Sequence, residues 1–329
     1  MESGLTRDAA ERGQPMLHIL RLGPRPLISA DMGRNSPRHL QGLTHTHMIG
    51  LSMAPPIPPH VQAYLEALVR ECLDCRPGLV SLVLFGSAAI GGFSPIASDV
   101  DLILVVPDGT SGEDKLRLRE AVECVEAIHG FRKNSDRPQG QLEAFVEKAT
   151  ANVRSFFICT RSDLLSGRVE RILDLRLLQA LFVDRVVIPS IVTSAVTVWG
   201  EDLLSQIPMS PIRRFDVFKA FHGLFCQALL SIAVFAVLPG ATKYAMGVLK
   251  RSLHNCFFCY HGRRATLEEE VGFFQRRLGP SRTLEQLLAL RNEYRCSFAF
   301  VIRCLPTLVR LHLRTAFDNR FPREILKSG

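Results

Sequence analysis

Two aspartates, Asp99 and Asp101, stand two residues apart at the head of the run VDLILVV. Upstream, Gly86-Ser87 closes the apolar run LVSLVLF. In a strand, side chains at i and i+2 point to the same face, so both carboxylates project together. Two carboxylates that close repel one another. A hard divalent cation removes the repulsion, and Mg²⁺ is held by one or two carboxylates plus substrate phosphates. Gly86 permits a tight turn and a close approach of backbone to ligand. Ser87 adds a hydroxyl and a backbone N–H at an expected helix N-terminus, which suits a phosphate. An Asp-x-Asp pair alone is usually a solvated strand end, and a Gly-Ser alone says less. Their joint occurrence between two buried strands is specific, and it points to metal-assisted chemistry on a nucleotide phosphate. Competing phosphate loops fail on their own residues. A Walker A loop needs Gly-Lys-Ser/Thr, whereas Gly91-Gly92 is followed by Phe93. A dinucleotide fingerprint needs a second glycine that Gly86-Ser87-Ala88 lacks.

The elements that must position these residues follow from hydrophobic spacing. Val61, Tyr64, Leu65, Leu68, Val69 and Cys72 recur at helical intervals and predict a helix over 60–75. Leu79–Phe85 and Val100–Val106 are unbroken apolar runs, as strands covered on both faces require. Pro107-Asp108-Gly109 ends the second, a helix is expected over 113–128, and a third strand over Gln141–Val146. Beyond Thr150 the pattern turns helical. Leu173–Val183 is strongly apolar, and 196–204 reads as a strand or loop leading into a helix. Helices are expected over 211–238, 241–261, 266–278, 281–296 and 298–318, broken at Gly240, Gly262 and Gly279-Pro280. The fold class is α+β: a mixed sheet with flanking helices over 56–205, then a helical domain over 206–329. Residues 1–55 hold prolines, arginines and histidines without periodicity. They read as a disordered leader, or as upstream sequence ahead of a start at Met48 or Met53.

Composition sets wider bounds. The chain has 329 residues, 47% hydrophobic and 22% charged, enough for two ordinary domains with real cores. Its net charge of +8 favours anionic partners without choosing among them. Nine cysteines, an odd number without regular spacing, argue against a disulfide framework. The pairs Cys72/Cys75 and Cys256/Cys259 offer thiolates for zinc, but each sits in an apolar helical stretch and reads as buried and reduced, which implies a cytoplasmic protein. The N-terminus lacks the basic-then-apolar pattern of a signal peptide. The longest apolar run, Gly223–Leu238, is short for a span and contains Gln227 and Ser231. It is expected to be a core helix, with no membrane partner.

The segment 81–106 resembles the polymerase-beta-like nucleotidyltransferase superfamily: an apolar strand, Gly-Ser, then Asp-x-Asp in a second strand. With Gly91-Gly92, Ser94 and Ser98 ahead of Asp99, it is most similar to aminoglycoside adenylyltransferases of the streptomycin/spectinomycin type and their relatives. The resemblance implies that Gly86, Ser87 and Ser98 bind the nucleotide and that Asp99 and Asp101 ligate magnesium. The family adds a third carboxylate from a later strand, as metal ligand or general base. Leu142-Glu143-Ala144-Phe145-Val146 is similar to that strand, so Glu143 takes the role, with Glu147 and Asp136 as competitors. Downstream, Val198–Leu204 and the stretch from Lys243 through Glu269 resemble the family's linking segment and helical domain. Lys243 and Lys250, seven apart on one helix face, become triphosphate candidates, against a reading as solvated lysines. No acidic aminoglycoside-binding patch can be matched residue by residue.

The resulting expectation is an enzyme that moves a nucleoside monophosphate, AMP from ATP, to a hydroxyl of a small acceptor, an aminoglycoside among the candidates, using two Mg²⁺ ions. Two alternatives stay open: the same chemistry on tRNA or protein, as in toxin-type relatives, and a catalytically silent nucleotide-binding protein.

Overall fold

The computed structural model describes residues 57–74, 78–93, 99–131, 155–173, 186–209, 211–238 and 240–318, all within the compact unit His45–Gly329. Helix α1 (Pro59–Asp74) leads into β1 (Ser81–Phe85). Strand β2 (Asp101–Val106) precedes α2 (Gly112–Ile128), which is capped by the Ser111 hydroxyl accepting from the Asp114 N–H. Next come β3 (Phe156–Thr160), the short helices α3 (Arg161–Leu165), α4 (Val169–Ile172) and α5 (Val187–Val192), and β4 (Val196–Gly200). The sheet order is β3-β2-β1-β4. β1 pairs antiparallel with β2 and with β4, and β2 pairs parallel with β3, so the sheet is mixed.

The unbroken apolar runs are explained by the layers. Leu82, Leu84, Leu102 and Leu104 pack with Tyr64 and Leu68 of α1 and Val122 of α2. The alternate residues Val83, Phe85, Ile103 and Val105 pack on the opposite face with Leu164, Ile172 and Ile191 of α3, α4 and α5. A strand covered on both faces has no polar side to show.

Two expectations need correction. β3 lies at 156–160, in a stretch whose sequence pattern points to helix. The strand FFICT is too short for its period to declare itself, and only pairing with β2 settles its type. The strand expected at Gln141–Val146 lies outside the described residues, as does most of Leu173–Val183. After β1, residues 86–91 form successive turns, so the helix expected to begin at Ser87 is not formed among the described residues 86–93. Gly91 takes φ +74° there, a left-handed value that does not continue a helix.

The helical region follows as expected: α6 (Arg214–Val234), α7 (Ala241–His261), α8 (Leu267–Leu278), α9 (Arg282–Asn292) and α10 (Phe298–Ala316). α6, α7 and α10 pack on one another, and Leu224, Val248, Leu249, Phe257, Phe300 and Leu308 form their common core. α6 is long and apolar enough by length and composition to cross a membrane, yet Leu224 and Ala228 are buried in this core while Phe215, Phe218 and Leu229 are exposed. Cys72 and Cys256 lie buried in separate cores, and Cys259 in a third apolar cluster, which fits their reading as packed side chains; Cys75 lies outside the described residues.

Candidate active site

The geometry of the site begins with the β1–β2 ladder. Phe85 is the register partner of Asp101, so the chain leaves β1 where β2 begins. Gly86 follows at φ +72° and is buried. A Cβ at that position would lie 2.1 Å from Asp101 Oδ2 and 3.0 Å from its Cγ. The Asp101 carboxylate therefore rests directly on the Gly86 backbone, in space that any side chain would fill. Ser87 is half-buried, and its carbonyl accepts from the Gly92 N–H at 2.9 Å, which closes the turn. Asp99 lies just ahead of the strand and is exposed, while Asp101 is half-buried.

The helical region faces this turn. Arg291 of α9 donates from Nη2 to the Gly92 carbonyl at 2.5 Å and sits 3.2 Å from Glu268 through Nη1. Lys250 of α7 is held in low-dielectric surroundings that push its pKa below the ordinary lysine value; Asp101 and Asp99 oppose that fall, and Arg264 and Arg291 add to it. Arg264, in the link between α7 and α8, is also lowered by burial, with Glu270 and Asp101 opposing. Its Nε is buried with no hydrogen-bond acceptor among the described residues. Asp101 thus stands near cations from α7 and from the α7–α8 link, while Arg291 of α9 holds the turn through Gly92.

The structure brings Gly86, Ser87, Asp99, Asp101 and Lys250 to one place. It does not bring Lys243 into that group. Lys243 is exposed, and its ammonium lies 5.1 Å from the Tyr294 ring centroid. Ser98, Glu143, Glu147 and Asp136 lie outside the described residues. Arg264 and Arg291 were missed by the sequence reading. Neither belongs to a motif, and only the tertiary packing brings Arg264 near Asp101 and Arg291 onto the Gly92 carbonyl. An apolar groove of about 710 Å³ on the helical region, lined by Phe225, Leu278, Leu305 and Val309, shares no residue with this site.

Residues 65–136 match the family model of a nucleotidyltransferase domain. The chain carries a nucleotidyltransferase domain. The match runs from α1 through the Gly86-Ser87 turn and β2 to beyond α2, so it contains the described carboxylates. No curated protein matches the sequence. Among solved structures, the chain is similar to a spectinomycin adenyltransferase from Enterococcus faecialis, crystallised with ATP and spectinomycin. Identity is 13% and the TM-score 0.47, over 78% of this chain and 98% of that one.

The donor set of the nucleotidyltransferase domain fits a hard divalent cation. Asp99 and Asp101 offer oxygen only, and the Gly86 backbone leaves room for the Asp101 carboxylate. Among the described residues, no group of three or more His, Cys, Asp or Glu is placed to hold a metal. Two protein carboxylates with phosphate oxygens completing the shell is the arrangement Mg²⁺ accepts.

Proposed function

We propose that this nucleotidyltransferase moves a nucleoside monophosphate, AMP from ATP, to a hydroxyl of a small acceptor, with Asp99 and Asp101 holding Mg²⁺. The observation that supports this is the position of Asp101, which rests on the Gly86 turn and faces Lys250 and Arg264. A nucleoside triphosphate carries several negative charges, and a site with cations opposite a carboxylate pair separates two tasks. The carboxylates hold magnesium, which when bound neutralises phosphate charge and orients the α-phosphate. Lys250, Arg264 and the turn at Ser87 hold the remaining phosphates and keep the leaving pyrophosphate anchored. Glu143 is kept as the proposed general base for the acceptor hydroxyl. An aminoglycoside acceptor is the first choice within the small-molecule class, and the net charge of +8 is the feature that favours an anionic acceptor such as tRNA instead.

The test is transfer of label from α-phosphate-labelled ATP, GTP, CTP and UTP, with Mg²⁺, to aminoglycosides and to bulk tRNA. Label on an aminoglycoside supports the proposal, and label on tRNA alone moves the acceptor class. No label on either, with ATP bound, indicates a silent binding protein.

The phosphate roles make a separate prediction. Lys250→Ala and Arg264→Ala each remove one charge-assisted contact, worth about 1.5–3 kcal/mol. Nucleotide KM should rise about 10–100-fold for either variant. Stability should not fall in step, because each change also removes a buried charge. Steady-state kinetics with thermal unfolding checks both, and an unchanged KM in both variants would remove these side chains from the phosphate site.

A further inference from the structure

The phosphate turn is anchored at both ends. Its entry is fixed by the β1–β2 ladder, where Phe85 pairs with Asp101. Its exit, Gly92-Phe93, is held by residues far away in sequence. The Gly92 N–H donates to the Ser87 carbonyl at 2.9 Å and closes the turn from within. The Gly92 carbonyl accepts from Arg291 Nη2 at 2.5 Å, across 199 positions of chain. Thr266, the N-cap of α8, stands close by: a Cβ on Gly92 would meet its methyl group at 3.7 Å. Phe93 packs its ring against His60 of α1, with centroids 5.4 Å apart.

Arg291 is built for this contact. Its side chain is only 13% exposed, so the bond to Gly92 is largely shielded from competing water. A hydrogen bond from a charged donor is roughly twice as strong as a neutral one. The other end of the planar fork, Nη1, lies 3.2 Å from Glu268 Oε1 in the first turn of α8. One guanidinium thus ties α8 and α9 to the turn. Glu268 is 60% exposed, so its ion pair adds little by itself. The bond that matters is the one to the Gly92 carbonyl.

We propose that Arg291 is a positioning residue: by holding the Gly92 carbonyl to α8 and α9, it keeps the Ser87 turn in register with Lys250 and Arg264 across the phosphate site. This rests on the phosphate role proposed above for that turn. Arg291 acts through Gly92 and Ser87 rather than on the nucleotide. A site that works by placement tolerates little drift, since a shift of about 1 Å can cost about 10²-fold in rate. Loss of the bond lets the exit of the turn drift while the entry stays paired in the sheet.

The experiment compares wild type with Arg291→Met, Arg291→Lys and Glu268→Gln in the full chain. Met keeps the apolar stem and loses every donor, Lys keeps donors on a single nitrogen, and Gln keeps an acceptor oxygen beside Arg291. The first measurement needs no nucleotide. The Gly92 N–H is protected only while the turn is closed, so its hydrogen exchange, followed by NMR, reports opening. Arg291→Met should speed that exchange about tenfold, with the amides of β1 and β2 unchanged. Lys should fall between, and Glu268→Gln should stay within about twofold of wild type. The second measurement is calorimetric titration with Mg·ATP, where Arg291→Met should bind about tenfold or more weakly and Lys should recover part of the loss. Should the Met variant fail to fold, the Lys variant carries the same comparison at smaller amplitude. Unchanged Gly92 exchange overturns the proposal. So does faster exchange throughout the sheet and helices with normal Mg·ATP affinity, which is the mark of a merely structural bond. Failure of Mg·ATP to bind wild type overturns the proposed function and the positioning role with it; the exchange data then report only whether Arg291 closes the turn.

Discussion

Asp101→Asn should reduce magnesium-dependent nucleotidyl transfer by about 10³-fold or more while the protein stays folded. The substitution keeps the shape of the side chain that rests on Gly86, so the contact at the β1–β2 junction survives. What it removes is the charge. A magnesium ion stabilises developing phosphate charge by several kcal/mol, and roughly 4 kcal/mol corresponds to about 10³-fold in rate. A neutral amide is a far poorer ligand for that ion than a carboxylate. The change in folding stability should be small and is bounded by opposing effects. Asp101 counters the buried charges of Lys250 and Arg264, so its loss leaves those cations less compensated. The same loss also relieves the repulsion between Asp101 and Asp99. Single-turnover transfer at saturating ATP, with Mg²⁺ varied, checks the rate, and denaturant unfolding checks the fold. Asp99→Asn should follow the same direction. Transfer at wild-type rates in the Asp101→Asn variant would remove the pair from the chemistry.

The part of the site legible in sequence was the part that is local. Asp99 and Asp101 declared themselves by their i, i+2 spacing at the start of an apolar run, although only Asp101 lies within β2 and Asp99 precedes it, and Gly86-Ser87 because a turn must follow a buried run. Lys250 was reached only through the resemblance of the stretch around it. Arg264 and Arg291 left no local mark: they stand in a link and near a helix end, and only the packing of the helical region brings Arg264 near Asp101 and Arg291 onto the Gly92 carbonyl. The same holds for Glu270, which reads in sequence as one of several acidic residues at a helix start and is instead buried against His254. The fold divides in the same way. Helices with sustained periods, such as Ala241–His261 and Leu267–Leu278, matched their expected bounds closely. Strand β3 escaped because five residues cannot show a period and its partner β2 lies some fifty residues away in the chain.

Gly86→Ala should disable transfer nearly as fully as the loss of Asp101, although it adds only a methyl group. Two separate penalties apply. The first is backbone strain: at φ +72° an alanine is less stable than glycine by about 1–2 kcal/mol. The second is collision, since the new Cβ would stand 2.1 Å from Asp101 Oδ2. The colliding atom is the end of a side chain, so the relief is cheap in energy: Asp101 rotates away. That relief is what destroys function, because a catalytic group displaced by about 1 Å can lose about 10²-fold in rate. Gly109 supplies the control. Its φ is +82°, and a Cβ there meets nothing within 4 Å. Gly109→Ala therefore suffers the backbone strain without the collision and should lose about 1–2 kcal/mol of stability at undiminished transfer. The comparison separates strain from displacement: Gly86→Ala should be destabilised by a similar amount or slightly more, yet lose transfer by about 10²-fold or more. Equal stability losses with equal, near-normal transfer in both variants would show that the Asp101 carboxylate does not need the space above Gly86.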